Sequence, residues 1–136
     1  MTDIVVAEEA IYQAFQDGWG ATSAFTFDNE KFDPPEDDKW VRVAIRGNDS
    51  NQETLGKEGN RRFERSGILF IQCFTPENQG IKDANTLAKT AREIFEGKRI
   101  SGTTIYFLSG TSRKIGPDGK WYQLNVEIPF RYDETR

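Results

Sequence analysis

The spacing of apolar residues divides the chain into two helical stretches and several extended ones. Between Asp3 and Gln16, residues Ile4, Ala7, Ile11, Ala14 and Phe15 recur at steps of three and four, with Glu8, Glu9, Gln13 and Gln16 elsewhere on the wheel. That is the stripe of an amphipathic helix. Thr2 or Asp3 is placed to cap its first turn, and Gly18 to stop it. A second stripe, made by Ile81, Ala84, Leu87, Ala88, Ala91, Ile94 and Phe95, predicts a helix that ends at Gly97. Its alanines suit close packing on a sheet.

The remaining apolar residues follow strand patterns. Ala24 to Phe27 reads as a short strand, and the following Pro34 and Pro35 demand an extended loop, because proline cannot donate to a ladder. In WVRVAIR, Val41, Val43 and Ile45 alternate with Arg42, Ala44 and Arg46, so one face is apolar and the other largely charged. Gly47 to Gly59 carries only Leu55 as an apolar residue and predicts a mobile connection or a ragged hairpin extension. Asn60 to Phe74 returns to strand chemistry, with Gly67 marking a bulge or bend. Its run Ile68 to Phe74 suits a central strand covered on both faces. Thr103 to Ser109 is β-branched and aromatic, Gly116 to Gly119 (GPDG) forms a turn, and Trp121 to Tyr132 alternates, with Tyr122, Leu124, Val126, Ile128, Phe130 and Tyr132 on one side. These last two runs predict a hairpin.

The expected fold is therefore α+β, in the order α-β-β-β-α-β-β. It is a mixed, mainly antiparallel sheet of about five strands with two helices packed on it. At 136 residues, 1–136 reads as one domain large enough to bury a core without metal or disulfide staples.

Charge and residue inventory narrow the function. A formal net charge of -4 gives no cationic field to attract phosphate backbones, so nucleic-acid binding is not the expected main task. No apolar run is long enough to span a bilayer, and the first residues lack the layout of a secretion signal; a cytosolic site of synthesis and no membrane partner are expected. Cys73 is the single cysteine, which excludes an internal disulfide and a cysteine-built zinc site, and its place in LFIQCF predicts a core residue. The chain has no histidine, and so lacks the usual general base and the usual partner of a nucleophile.

The remaining candidate chemistry has plainer explanations. The carboxylates of Glu36, Asp37 and Asp38, and of Glu8 and Glu9, read as solvated charges with no convergent partner. GKEGN and GPDGK lack the glycine spacing of phosphate loops. Arg61, Arg62 and Arg65 with Phe63 form the one concentrated basic run, which suits an edge strand or subunit contact and, as an alternative, a single-stranded nucleic-acid surface. No catalytic, cofactor or metal site is expected.

Four landmarks occur in order: TFDNEKFDPPEDDKWVRVAIR, GKEGNRRFERSGILFIQCFTPENQG, AREIFEGKRISG and GPDGKWYQLNVEIPFRYDE. Together they resemble the family of small tailed-phage proteins described as tail-terminator-like, similar in role to the tail terminator of phage lambda. The resemblance runs from Phe25 to Glu134. It implies an α+β subunit that closes into a homo-oligomeric ring, a hexamer, on the last ring of a long non-contractile tail tube. Such a ring ends tube polymerisation and offers a surface to head-completion or connector proteins. Genomic DNA would be only passing cargo, no cofactor is involved, and the place of action is the head-proximal end of the virion tail, assembled in the bacterial cytoplasm.

A closed ring needs two different surfaces on each subunit. Trp40 as an anchor, with Arg42, Arg46, Arg61, Arg62 and Arg65 as charge-pairing groups, are the expected interface residues, since Trp and Arg concentrate at binding hot spots. Phe32, Trp121 and Tyr132 are expected to stabilise the fold. A head-completion (neck) protein and a small-ligand or single-stranded nucleic-acid binding module are the competing readings.

Overall fold

A computed structural model of the protein describes residues 3–136. Helix α1 (Ile4–Trp19) is followed by strands β1 (Ala24–Phe27), β2 (Trp40–Gln52) and β3 (Arg62–Pro76). Helix α2 (Lys82–Phe95) then precedes β4 (Tyr106–Phe107), β5 (Thr111–Asp118) and β6 (Trp121–Thr135). The strands make one sheet in the order β1-β2-β3-β6-β4, and β5 pairs with β6 along the same outer edge as β4. Only β1 and β2 run parallel. The class is the expected α+β, with six strands in place of about five.

Asp3 caps α1, its Oδ1 accepting from the Val6 amide at 2.9 Å. Thr2, the other cap candidate, lies outside the described residues. The helix runs past Gly18 to Trp19, because Phe15 and Trp19, one turn apart, extend the buried stripe and stack at 5.1 Å. Gly18 is thus no stop: a Cβ there would lie 2.9 Å from Ile94 Cγ2, so the missing side chain lets α1 approach α2. Gly20, at φ 56°, takes the capping position instead. Ile4, read as part of the buried stripe, is exposed.

Both helices cover one face of the sheet. Val41, Val43 and Ile45 of β2, Leu69, Ile71 and Cys73 of β3, and Leu124, Val126, Ile128, Phe130 and Tyr132 of β6 bury that face against Ala7, Ile11, Phe15 and the α2 stripe. The alternation read in WVRVAIR and in the last strand is the alternation the sheet uses. Strand β3 is central, as expected, but not covered throughout: Ile68, Phe70 and Gln72 are half-buried on the helix-free face. There a smaller cluster gathers, made of Trp40, Phe74 and Trp121 with Phe32 against it.

The last hairpin differs from the expected one. Its first strand is Thr111–Asp118, and of Thr103 to Ser109 only Tyr106 and Phe107 pair with β6. The turn is the pair Gly119 and Lys120 between Asp118 and Trp121, Gly119 at φ 62°, while Gly116 sits inside β5 at a shift of register. Strand β5 escaped detection because its residues are almost all exposed, so no apolar alternation marks it. Ile105 and Phe107, which made the earlier run look strand-like, are instead buried in the core, Phe107 lying 4.8 Å from Phe95.

Of the stretch Gly47 to Gly59, residues 47–52 form the hairpin extension at the end of β2, and 53–59 make the connection at its tip. Strands β2 and β3 continue past the core with the end of β6 alongside, and the Arg61 and Arg136 main chains exchange hydrogen bonds of 2.9 and 2.7 Å. The bulge expected at Gly67 is absent there; the register slips in the partner strand, between Gly47 and Asp49.

Candidate assembly surfaces

The six residues singled out from sequence lie in three places. Trp40 begins β2 on the helix-free face and is only 4% exposed. It stacks on Phe74 at 4.1 Å with 10° between planes, meets Trp121 edge-on at 6.0 Å, and is capped by Phe32 at 5.2 Å. Its indole Nε1 has no hydrogen-bond partner among the described residues. In the single subunit Trp40 is a packing residue. Phe32 and Trp121 share that role, and Tyr132 belongs to the main core, as expected of all three.

Arg42 and Arg46 follow Trp40 on the same face. The Arg42 guanidinium lies 5.3 Å over the Trp40 ring. Arg46 pairs with Asp28 at 3.0 Å, with both side chains about half exposed, so the bond ties the end of β1 to β2 with little net stabilisation.

Arg61, Arg62 and Arg65 occupy the arm but do not form one patch. Residues three apart on a strand point to opposite faces, so Arg62 and Arg65 are separated by the sheet. Arg65 is largely used up internally. Its Nε bonds Glu134 at 3.0 Å, its Nη1 bonds the Ser50 hydroxyl, and its guanidinium lies over the Phe63 ring at 5.0 Å. Arg61 donates from Nε to the Gly56 carbonyl at 3.0 Å. The arginine that joins Arg61 and Arg65 around one shallow hollow of about 600 Å³ is Arg136, which sequence reasoning did not select. Nothing local marks it, because its position depends on the long-range pairing of β3 with β6.

A second hollow, of about 580 Å³, opens between the start of α1 and the arm, lined in part by Asp3, Ile4, Ser50, Arg65, Tyr132 and Glu134. Burial raises the Tyr132 phenol above its ordinary range, the Glu134 carboxylate adds to this, and Arg65 opposes it. Beside this hollow Ile4, Val5 and Val6 are exposed; Leu55 near the arm tip and Ile115 on β5 are the other exposed large apolar residues described.

The groups weighed for chemistry are scattered. Glu36, Asp37 and Asp38 stand on the exposed segment between β1 and β2, and Glu8 and Glu9 on α1. Cys73 is fully buried, with its thiol pushed up to about 12 by desolvation, which removes the thiolate needed for nucleophilic attack. Among the described residues no three His, Cys, Asp or Glu side chains are placed to hold a metal ion, and no helix is long and apolar enough to cross a membrane.

The subunit thus has a sheet with one half-covered face, a projecting three-stranded arm and two free lateral edges, and the chain that builds it matches a known family. The family described as phage tail terminator protein matches residues 7–130, from the second turn of α1 into β6. The chain belongs to that family. The tail terminator match takes in α1 from Ala7, all of α2 and β1 to β5, and β6 as far as Phe130, and carries the likeness that starts at Phe25 in the sequence landmarks back to Ala7. Residues 131–136, which close the arm through Glu134 and Arg136, lie beyond it.

Two solved structures share the tail terminator chain's fold. One superposes with a TM-score of 0.68 at 14% identity, over 92% of this chain and 94% of its own. The other, a chain from the virion of a native gene transfer agent particle, gives a TM-score of 0.59 at 13% identity, over 97% of this chain and all of its own. No curated protein matches the chain.

Proposed function

We propose that this tail terminator family member is a non-catalytic structural subunit that forms a ring, a hexamer, on the head-proximal end of the tail tube. The ring stops addition of tube protein and presents the surface to which head-completion or connector proteins bind, with genomic DNA passing through as cargo. The observation that carries this reading is the family match over residues 7–130, which spans the core from Ala7 to Phe130 and not one motif. The shared fold with a chain of a gene transfer agent virion supports a structural place in a virion.

The molecule's surfaces suit the role. Its polar arm and lateral edges give each subunit more than one distinct contact area, which a head-to-tail ring requires. The net charge of -4 leaves no field that would hold passing DNA.

Purified protein added to elongating tail tubes tests the proposal. Tubes of fixed length, each carrying a ring at one end in electron micrographs, are the expected result. Tubes that elongate unchanged while the protein binds head particles would establish the neck protein instead. Salt-sensitive capture of single-stranded nucleic acid without any effect on tubes would establish the binding module.

A further inference from the structure

The charge of this chain is divided between the two lateral edges of the sheet. Residues 28–38, which leave β1 and cross to β2, hold six acids and one base. Residues 98–120, which run through β4 and β5 to the last turn, hold five bases and one acid. Strands β1 and β5 lie at opposite ends of the strand order. Four interstrand spacings of about 4.8 Å separate them, roughly 19 Å, about two Debye lengths at 0.1 M salt. Each edge therefore acts as a separate field.

Much of this charge is uncommitted. Phe32 packs on Trp40 and so anchors the acidic segment on the helix-free face at the start of β2, toward the β1 side of the sheet, where Asp33, Glu36, Asp37 and Asp38 are exposed and form no ion pair with a described residue. On the other edge Arg113 is paired with Glu127 at 2.8 Å, whereas Lys114 is exposed without an ion pair among the described residues. Lys120 lies over the Trp121 ring at 5.4 Å with its charge likewise unpaired. Ile115, half exposed between Lys114 and Gly116, adds apolar surface to this edge. Both outer strands have a neighbour on one side only, and they run antiparallel to each other. Translated along the sheet, β5 of one copy would meet β1 of the next in the antiparallel sense, with opposite charge.

From this charge division we infer that the subunits of the proposed ring join head to tail, the basic β5 edge with Lys114 and Lys120 of one copy docking on the acidic Asp33–Asp38 segment of the next. The inference rests on the ring reading and adds the surfaces, their order and their polarity. Because the two surfaces differ, the contact is heterologous, and it gives a ring when each copy is also rotated by a fraction of a full turn relative to the last. Because it is electrostatic, it weakens with salt.

Two variants test it: Asp37→Lys with Asp38→Lys, and Lys114→Glu with Lys120→Glu. All four positions are exposed, and a thermal melt superimposable on that of the unchanged protein verifies folding of each. Assembly is read by light scattering and native mass spectrometry at low ionic strength, in solution and on purified tail tubes. The first variant cuts the formal charge of residues 28–38 from -5 to -1 and the second cuts that of residues 98–120 from +4 to 0, so each alone has lost one of its two charged surfaces and should remain at subunit mass. Their equimolar mixture should form one-to-one pairs and no rings, because only the contact between the first variant's intact basic edge and the second's intact acidic segment is still between opposite charges. Rings formed by either variant alone as readily as by the unchanged protein would overturn the inference. So would a mixture that stays dissociated. Failure of the unchanged protein to assemble, even on tubes, would instead overturn the ring reading, and the inference with it.

Discussion

Phe130 Cζ lies 2.7 Å from the position a Cβ would take on Gly67, and the Arg46 carbonyl oxygen lies 2.8 Å from the same point. Gly67 is paired with both Gly47 and Phe130 in an unbroken central strand. The glycine makes room for an aromatic ring that has crossed onto the neighbouring strand's backbone. Gly67→Ala should therefore cost about 1–3 kcal/mol through overpacking. In urea denaturation Phe130→Leu should recover part of that loss in the double variant. Full recovery would mean that the Arg46 carbonyl imposes no clash.

Trp40 is held by Phe74, Trp121 and Phe32, so its removal should be felt in the unassembled subunit. Trp40→Ala is expected to lower stability by about 3–5 kcal/mol, with a coupling to Phe74 of about 1 kcal/mol in a double-mutant cycle. Trp40→Phe should cost far less, since the Nε1 it deletes has no described partner. A Trp40→Ala protein as stable as the parent would show that this cluster does not support the fold.

The Arg65 and Glu134 side chains are 23% and 13% exposed, between the surface and buried cases. Glu134→Gln should destabilise by about 1–2 kcal/mol, between the values for exposed and buried pairs. The loss should be local. Hydrogen exchange is expected to speed up at Arg61, Arg62 and Arg136 and to remain unchanged at Ile71 and Val126.

Alkaline pH should unfold the protein earlier than its exposed groups would. Folding raises the Cys73 thiol from 9.0 to about 12, and burial also raises the Tyr12 and Tyr132 phenols. A group raised on folding keeps its proton in the native state while the unfolded chain loses its own, so stability is complete below pH 9 and falls above it. Cys73 contributes a slope of up to about 1.4 kcal/mol per pH unit. Cys73→Ala should flatten the decline between pH 9 and 11 in urea titrations, and native Cys73 should resist thiol reagents at neutral pH until denaturant is added.

What the sequence alone determined was everything carried by local periodicity. The stripes of α1 and α2, the alternation Val41, Val43, Ile45, and that from Leu124 to Tyr132 appear in the fold because each reports one face meeting one core. The four ordered landmarks carried the family, which the match over residues 7–130 establishes.

What only the tertiary structure decided depends on contacts between distant segments. Gly18 and Gly67 look like punctuation in sequence, but their neighbours are Ile94 and Phe130, brought close by packing. Strand β5 carries no pattern because its residues face solvent, and only pairing with β6 makes it a strand. Arg61, Arg62 and Arg65 look like one cluster, yet strand geometry divides Arg62 from Arg65, and Arg136 joins the others from the far end of the chain. Periodicity records which side of a residue is dry; which residue lies across from it is fixed by register, and register is a property of the whole sheet.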